Sequence, residues 1–354
     1  MKTSLRYLGG LTALILCPLL RSQERLPLAI VETRPASTQV DTAAFPAKCG
    51  PDGAVYVRFV NGLIMAPSRV SAQGSTVKTF GLEGTRYHGH AHIWDFAPSQ
   101  DRGIHEVIFY RLPNVGEGYR LLTFDKDGKL DRDVVLDIPF DAQHIAVLGD
   151  RSFVIEGRQS TPEGGGHTGA PAMVIVNDQG QVLRTLKLVD DVQVPAAQDN
   201  RTSANRGINL AKEEEQFNQS INLSIAQTAD NGNVYVLRQS PTGPLFEISP
   251  SGTVRARQLP RYADALINLA IVARGQLLLH YVTAVEMGEG VYKKVDAGFY
   301  SLYDLGDMHK IIEYTLDAAS PLRNSMPVCY QANGLSFLRV DGNHPPVLLI
   351  AKPQ

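Results

Sequence analysis

Residues 221–260 read INLSIAQTADNGNVYVLRQSPTGPLFEISPSGTVRARQLP, and this stretch decides the fold. Two short runs, INLSIAQ and NVYVLRQ, flank the turn Ala229-Asp230-Asn231-Gly232. Two more, LFEIS and TVRARQL, flank Pro250-Ser251-Gly252. Apolar alternation bounded by Asp, Asn, Ser and Gly is the pattern of half-buried strands joined by hairpins. A four-stranded antiparallel unit of about 40 residues cannot cover both of its faces alone, so its neighbours are expected to be copies of it.

The copies are there. Inner hairpins align at residues 47–59, 92–111, 144–157, 222–238, 268–282 and 328–340, each with apolar alternation on both sides of a polar or Gly turn. Outer hairpins follow at 119–138, 172–188 and 299–316, with a weaker one at 63–82. Their D/N-x-x-G turns suit a type I turn closed by glycine. The sixth unit runs out one strand early, and Leu28 to Thr33 (LAIVET) is placed to supply that strand. Closing a ring with a strand from the far terminus removes the open edges of an array. The expectation is therefore an all-β chain: a six-bladed β-propeller of four-stranded antiparallel blades, with an N-terminal strand closing the last blade. A seventh blade would have to fall in 190–219, which lacks alternation. That stretch reads as a polar insertion with one short helix, LAKEEEQF.

Lys2 and Arg6 precede an apolar run, Leu8 to Leu20, that is too short to span a bilayer and right for a secretory signal. Residues 1–24 are read as a signal peptide and 25–354 as a single propeller domain, exported to the periplasm or the extracellular space. Anchoring through Cys17 is disfavoured, because Leu16 stands where lipoprotein signals place a small residue. After removal of the signal only Cys49 and Cys329 remain, an even pair that permits a disulfide between the first and last repeats but equally reads as two buried thiols. A formal net charge of −2 offers no basic patch to nucleic acid. No other segment could span a membrane, and a monomer is expected.

The inner cores Asp52 to Val57 and Asn231 to Val236, with the outer D/N-x-x-G turns, resemble the six-bladed propellers of the NHL, TolB-like and regucalcin/gluconolactonase group. The resemblance covers nearly the whole mature chain and implies a fold; it implies no single activity, since propellers host lactonases, lyases and binding modules.

Aligning the inner strands puts His92, His144, Asn222 and Asn268 at one register step in four successive repeats. Imidazoles and amide oxygens can hold zinc or a harder ion such as calcium, so this ring is the candidate metal site. Regucalcin-like enzymes are similar in holding a divalent ion at this end of the channel, but with a carboxylate where this chain has His. The same residues also read as polar side chains meeting water at a channel mouth. His88 and His90 extend the set, because the spacing His88-Gly-His90-Ala-His92 turns three imidazoles to one side of an extended segment. No complete catalytic set is discernible. The leading reading is an exported module that binds a small molecule or a protein at the channel-mouth face. The alternative is a metal-dependent hydrolase or lyase, lactonase-like, with its site at that mouth.

Overall fold

The computed structural model describes residues 25–36, 44–59, 66–71, 77–159, 171–186, 225–237, 245–260, 262, 265–288, 291–331 and 334–354. The signal segment, the 190–219 insertion and Asn222 lie outside them. The described chain is all β, apart from one 3-10 turn at Pro321–Asn324. No helix among the described residues is long and apolar enough to cross a membrane.

Strand β1 (Arg25–Pro35) comes first. Four antiparallel sheets then form from consecutive strands: β2 (Ala44–Cys49) to β5 (Val77–Thr79) through β3 (Val55–Phe59) and β4 (Pro67–Val70); β6 (Ala91–Pro98) to β9 (Leu130–Leu136) through β7 (Ile104–Leu112) and β8 (Gly116–Phe124); β10 (Asp141–Val147) to β13 (Val182–Leu186) through β11 (Phe153–Arg158) and β12 (Pro171–Val176); and β14 (Ile225–Thr228) to β17 (Val254–Arg257) through β15 (Val234–Leu237) and β16 (Leu245–Ile248). The fifth sheet has eight strands. It combines β18 (Ala265–Ala273), β19 (Gln276–Gly288), β20 (Val291–Asp304) and β21 (Lys310–Thr315) with β22 (Met326–Gln331), β23 (Gly334–Arg339), β24 (Val347–Pro353) and β1. Its two halves meet in a short parallel pairing of β1 with β21, Arg25 opposite Glu313 to Pro27 opposite Thr315. The rest of β1 lies antiparallel to β24, from Leu28 opposite Pro353 to Pro35 opposite Val347.

The first strands form a circuit. β2 touches β6, β6 touches β10, and the series continues through β14, β18 and β22 back to β2. Six apolar clusters sit between consecutive four-strand runs, for example Tyr56 and Phe80 of the first against Phe96, Ile108 and Leu122 of the second. Because every run has a neighbour on each side, its inner strands can be buried on both faces: β11 is buried at all six positions, β15 and β16 at all four. Within 221–260 the half-buried expectation fails for β15 and β16 and holds for β17. Exposure grows toward the outer edges, where β9 and β13 are each fully buried only at their last residue, Leu136 and Leu186. The arrangement is propeller-like.

The two faces of this array differ. Connections between first and second strands, and between third and fourth, are all tight; none is longer than six residues. Gly232 shows why: it takes φ 78° and its Cα packs against that of Gly149, with Gly149 N donating to Gly232 O at 2.8 Å. A Cβ at either position would strike the other turn. At the opposite ends of the strands the described connections include longer ones, 80–90 and 316–325. There β19 and β20 also run on as a hairpin of 13- and 14-residue strands, an extension that the repeat pattern does not reveal.

Candidate functional site

The face with the long connections receives Arg58 at the end of β3 and His92 at the start of β6, with His88 and His90 exposed in the stretch that precedes β6. His92 is exposed and meets the edge of Trp94, ring centroids 5.2 Å apart. Partial burial, reinforced by the Arg58 charge, holds the His92 imidazole below its ordinary value, which favours the neutral, ligand-competent form.

Of the expected ring, the described members His92, His144 and Asn268 stand at different register steps. The inner hairpins carry a β-bulge, with register shifts between Ile93 and Asp95, Ala142 and His144, Ile267 and Leu269, and Pro327 and Cys329. Each shift adds one extra residue to the first strand, Trp94, Gln143, Asn268 or Val328. Counted from the bulge, His144 falls level with Asp95, Asn268 level with Trp94 and Gln143, and His92 two steps earlier. Asn268 is turned toward β19, where its amide lies 3.3 Å from His280 Nδ1, and His280 stacks on Tyr300 at 4.4 Å. Asn222 lies outside the described residues. His88, His90 and His92 are not among the groups of three or more close His, Cys, Asp or Glu ligand atoms. Among the described residues only Asp304, Asp307 and His309 bring such atoms within 4.8 Å of one another. That trio sits on the tight-turn face, where its carboxylates cap a turn: Asp304 Oδ1 accepts from Gly306 N at 2.7 Å, and Asp307 Oδ1 from His309 N at 3.0 Å.

The strongest chemistry on the inner strands is a cluster that single-sequence reading misses. Lys48 of β2 reaches across β6: its Nζ donates to Asp95 Oδ2 at 2.7 Å and to the carbonyl of Ile145, on β10, at 3.0 Å. Ile145 N donates to the same Asp95 oxygen at 2.9 Å, and His144 Nδ1 stands 3.8 Å from it. Asp95 is 1% exposed. Burial pushes the Lys48 ammonium below its ordinary value against the opposing pull of Asp95. Arg58 donates to the carbonyl of Ile93. The physical demand is plain, because the first strand of a sheet presents an edge of unpaired amides and carbonyls toward the channel. Side chains of neighbours meet that demand elsewhere too. Thr228 Oγ1 donates to Val147 O at 2.7 Å and accepts from Val147 N at 3.2 Å, and Gln227 Oε1 accepts from Val272 N at 3.0 Å. Asp95 Oδ2 is therefore engaged as a clasp between three first strands, while the buried Oδ1 makes no hydrogen bond. Asp95, alone in His-Ile-Trp-Asp-Phe-Ala, was the available signal: a carboxylate at a position where the run is otherwise apolar.

Cys49 of β2 and Cys329 of β22 are joined in a disulfide, Cα atoms 5.1 Å apart and 280 residues apart in sequence. It ties the first sheet to the last.

No protein-family model matches the chain, and no curated protein matches it in sequence. Solved structures do match in shape. A member of the DUF4221 family from Bacteroides vulgatus superposes with a TM-score of 0.53 at 11% identity, covering 94% of this chain and 99% of its own. A Bacteroides fragilis protein, provisionally named as exported, gives 0.52 at 8% identity, covering 92% and 95%. A virginiamycin B lyase from Staphylococcus aureus gives 0.44 at 11% identity, covering 92% and 99%. These are β-propeller proteins. At such identities the likeness is one of fold, and this chain has a β-propeller fold.

Proposed function

We propose that this chain is an exported six-bladed β-propeller that acts as a binding module, holding a small molecule or a protein on the face of the long connections. Six blades account for the circuit of six first strands and for the six apolar clusters, with β1 as the fourth strand of the last blade. Export rests on the basic-then-apolar segment at residues 2–20 and accords with a disulfide, which persists in oxidising compartments.

The observation that carries the binding reading is the asymmetry of the two faces. Among the described residues, one has only short turns; the other has the connections 80–90 and 316–325, the far ends of the long strands β19 and β20, and His88, His90, His92 and Arg58. Binding residues concentrate on loops held by a rigid scaffold, and a propeller with one elaborated face fits that division. The test compares two variants of the mature protein for retention of whatever the wild type retains from its native extract. His88→Ala/His90→Ala/His92→Ala alters the elaborated face, and His309→Ala alters the tight-turn face. Loss in the first alone supports the reading; equal retention in both, or loss in the second alone, overturns it.

The metal-dependent hydrolase or lyase is the weaker reading, because His92, His144 and Asn268 occupy three different register steps and Asn268 is engaged by His280. Elemental analysis of the mature protein beside His92→Ala/His144→Ala decides it. Stoichiometric zinc or calcium lost in the variant would restore the enzyme, and would justify a screen of lactones.

A further inference from the structure

Glu106 lies on β7 with 0% of its surface exposed. It stands opposite Phe96 of β6 and Leu122 of β8, inside the apolar filling between the first two sheets that includes Tyr56, Phe80 and Ile108. Neither of its carboxyl oxygens has a hydrogen-bond partner. A carboxyl group in such a seat is tolerated as the neutral acid and strongly disfavoured as the anion. Nothing in the clasp or in the elaborated face uses it.

The charged and titratable groups on the packed elements leave it in that state. On β2, Lys48 is spent on Asp95 of β6. On β3, Tyr56 donates its hydroxyl to the carbonyl of Arg102, while Arg58 is the cation whose charge opposes burial of the anion. Glu83, in the stretch before β6, adds a like charge. Behind β8, Arg120 and Tyr87 are both held by Asp133. Burial outweighs Arg58 and holds the Glu106 carboxyl well above the usual carboxylate range.

We propose that Glu106 is a proton-operated latch in the seam between the first and second sheets. Uncharged, it packs as one more filling side chain. Ionised, it loosens the seam and with it the Lys48–Asp95 clasp that spans the same first strands. The latch is independent of what the elaborated face binds.

The sign follows from linkage. A carboxyl whose folded-state pKa is raised contributes its full stability below the ordinary value of 4.5, and that contribution is lost as pH rises from there through the folded-state value. The unfolding constant then grows by up to about tenfold per pH unit across that window. Urea unfolding of the disulfide-intact mature protein, from pH 5 to pH 9, reads this directly. The wild-type unfolding constant should climb relative to that of Glu106→Gln, whose amide cannot titrate; any fixed cost of the buried amide shifts the variant's curve without giving it this slope. Arg58→Met should extend the climb to higher pH. If the variants do not fold, amide exchange of the wild type replaces them. Protection in β3, β6 and β7, corrected for intrinsic rates, should fall as pH is raised above the ordinary carboxylate range while protection in β16 holds. Parallel curves for wild type and Glu106→Gln, or equal changes in both regions, would overturn the latch.

Discussion

Asp95 carries more than one partner on a single oxygen, so its removal acts on three strands at once. Asp95→Ala would strand Lys48, a side chain only 10% exposed, without its counter-ion and free the amide of Ile145. Breaking a buried pair in this way costs ~3–5 kcal/mol. Lys48→Met/Asp95→Leu removes both charges, and should recover much of that loss because an apolar pair of similar volume is often neutral. Urea unfolding of wild type, single and double variants checks the pattern; a double variant as unstable as the sum of its singles would refute the clasp. Sequence alone shows Lys48 and Asp95 only as isolated charges in short runs, where a solvated face is the ordinary explanation. The ring of His92, His144 and Asn268 has the opposite history. Their flanking residues look alike, but a bulge adds one residue to a strand without marking the pattern, and one added residue moves a side chain to the other face. Residue types were legible there. Register was not.

At the scale of the element, β1 shows what periodicity can and cannot see. Leu28 to Thr33 stood out as a strand far from its partners, because the last unit lacked one. Its docking to β24 follows that logic, whereas its parallel contact with β21 depends on Arg25, whose guanidinium pairs with buried Glu313 and lies 5.2 Å from the centre of the Phe299 ring. No alternation announces such a contact. Leu28 is 4% exposed in the cluster that joins the last two four-strand runs, and Val31 is 55% exposed. Leu28→Ala should therefore cost ~2–5 kcal/mol and Val31→Ala within about 0.5 kcal/mol. Thermal unfolding of the two variants side by side separates an integral strand from a loosely attached arm, which would give two small and similar shifts. Inner strands were under-read for a related reason. Alternation in one strand reports one buried face, while burial of both faces of β11, β15 and β16 comes from sheets that are distant in sequence.

For the whole molecule the central question is how the circuit of first strands stays shut. Two independent devices span the same junction. β1 bonds along β24 and completes the last sheet next to the first, and Cys49–Cys329 joins β2 to β22 across 280 residues. They act on different states. The strand contributes only when folded, through burial and backbone pairing, whereas the disulfide acts mainly by restricting the unfolded chain, more so for a longer loop. For a loop of this length the chain-entropy relation gives roughly 5 kcal/mol. Reduction, or Cys49→Ser/Cys329→Ser, should therefore lower the urea midpoint substantially while leaving the far-ultraviolet β signature unchanged in the absence of denaturant. The dependence on denaturant should steepen, since the unlinked chain exposes more surface on unfolding. Combining the cysteine variant with Leu28→Ala sharpens the test. Devices that close the ring through different states should add, to within about 0.5 kcal/mol. A combined loss well beyond the sum would mean that the strand holds its place only while the disulfide keeps the two ends together.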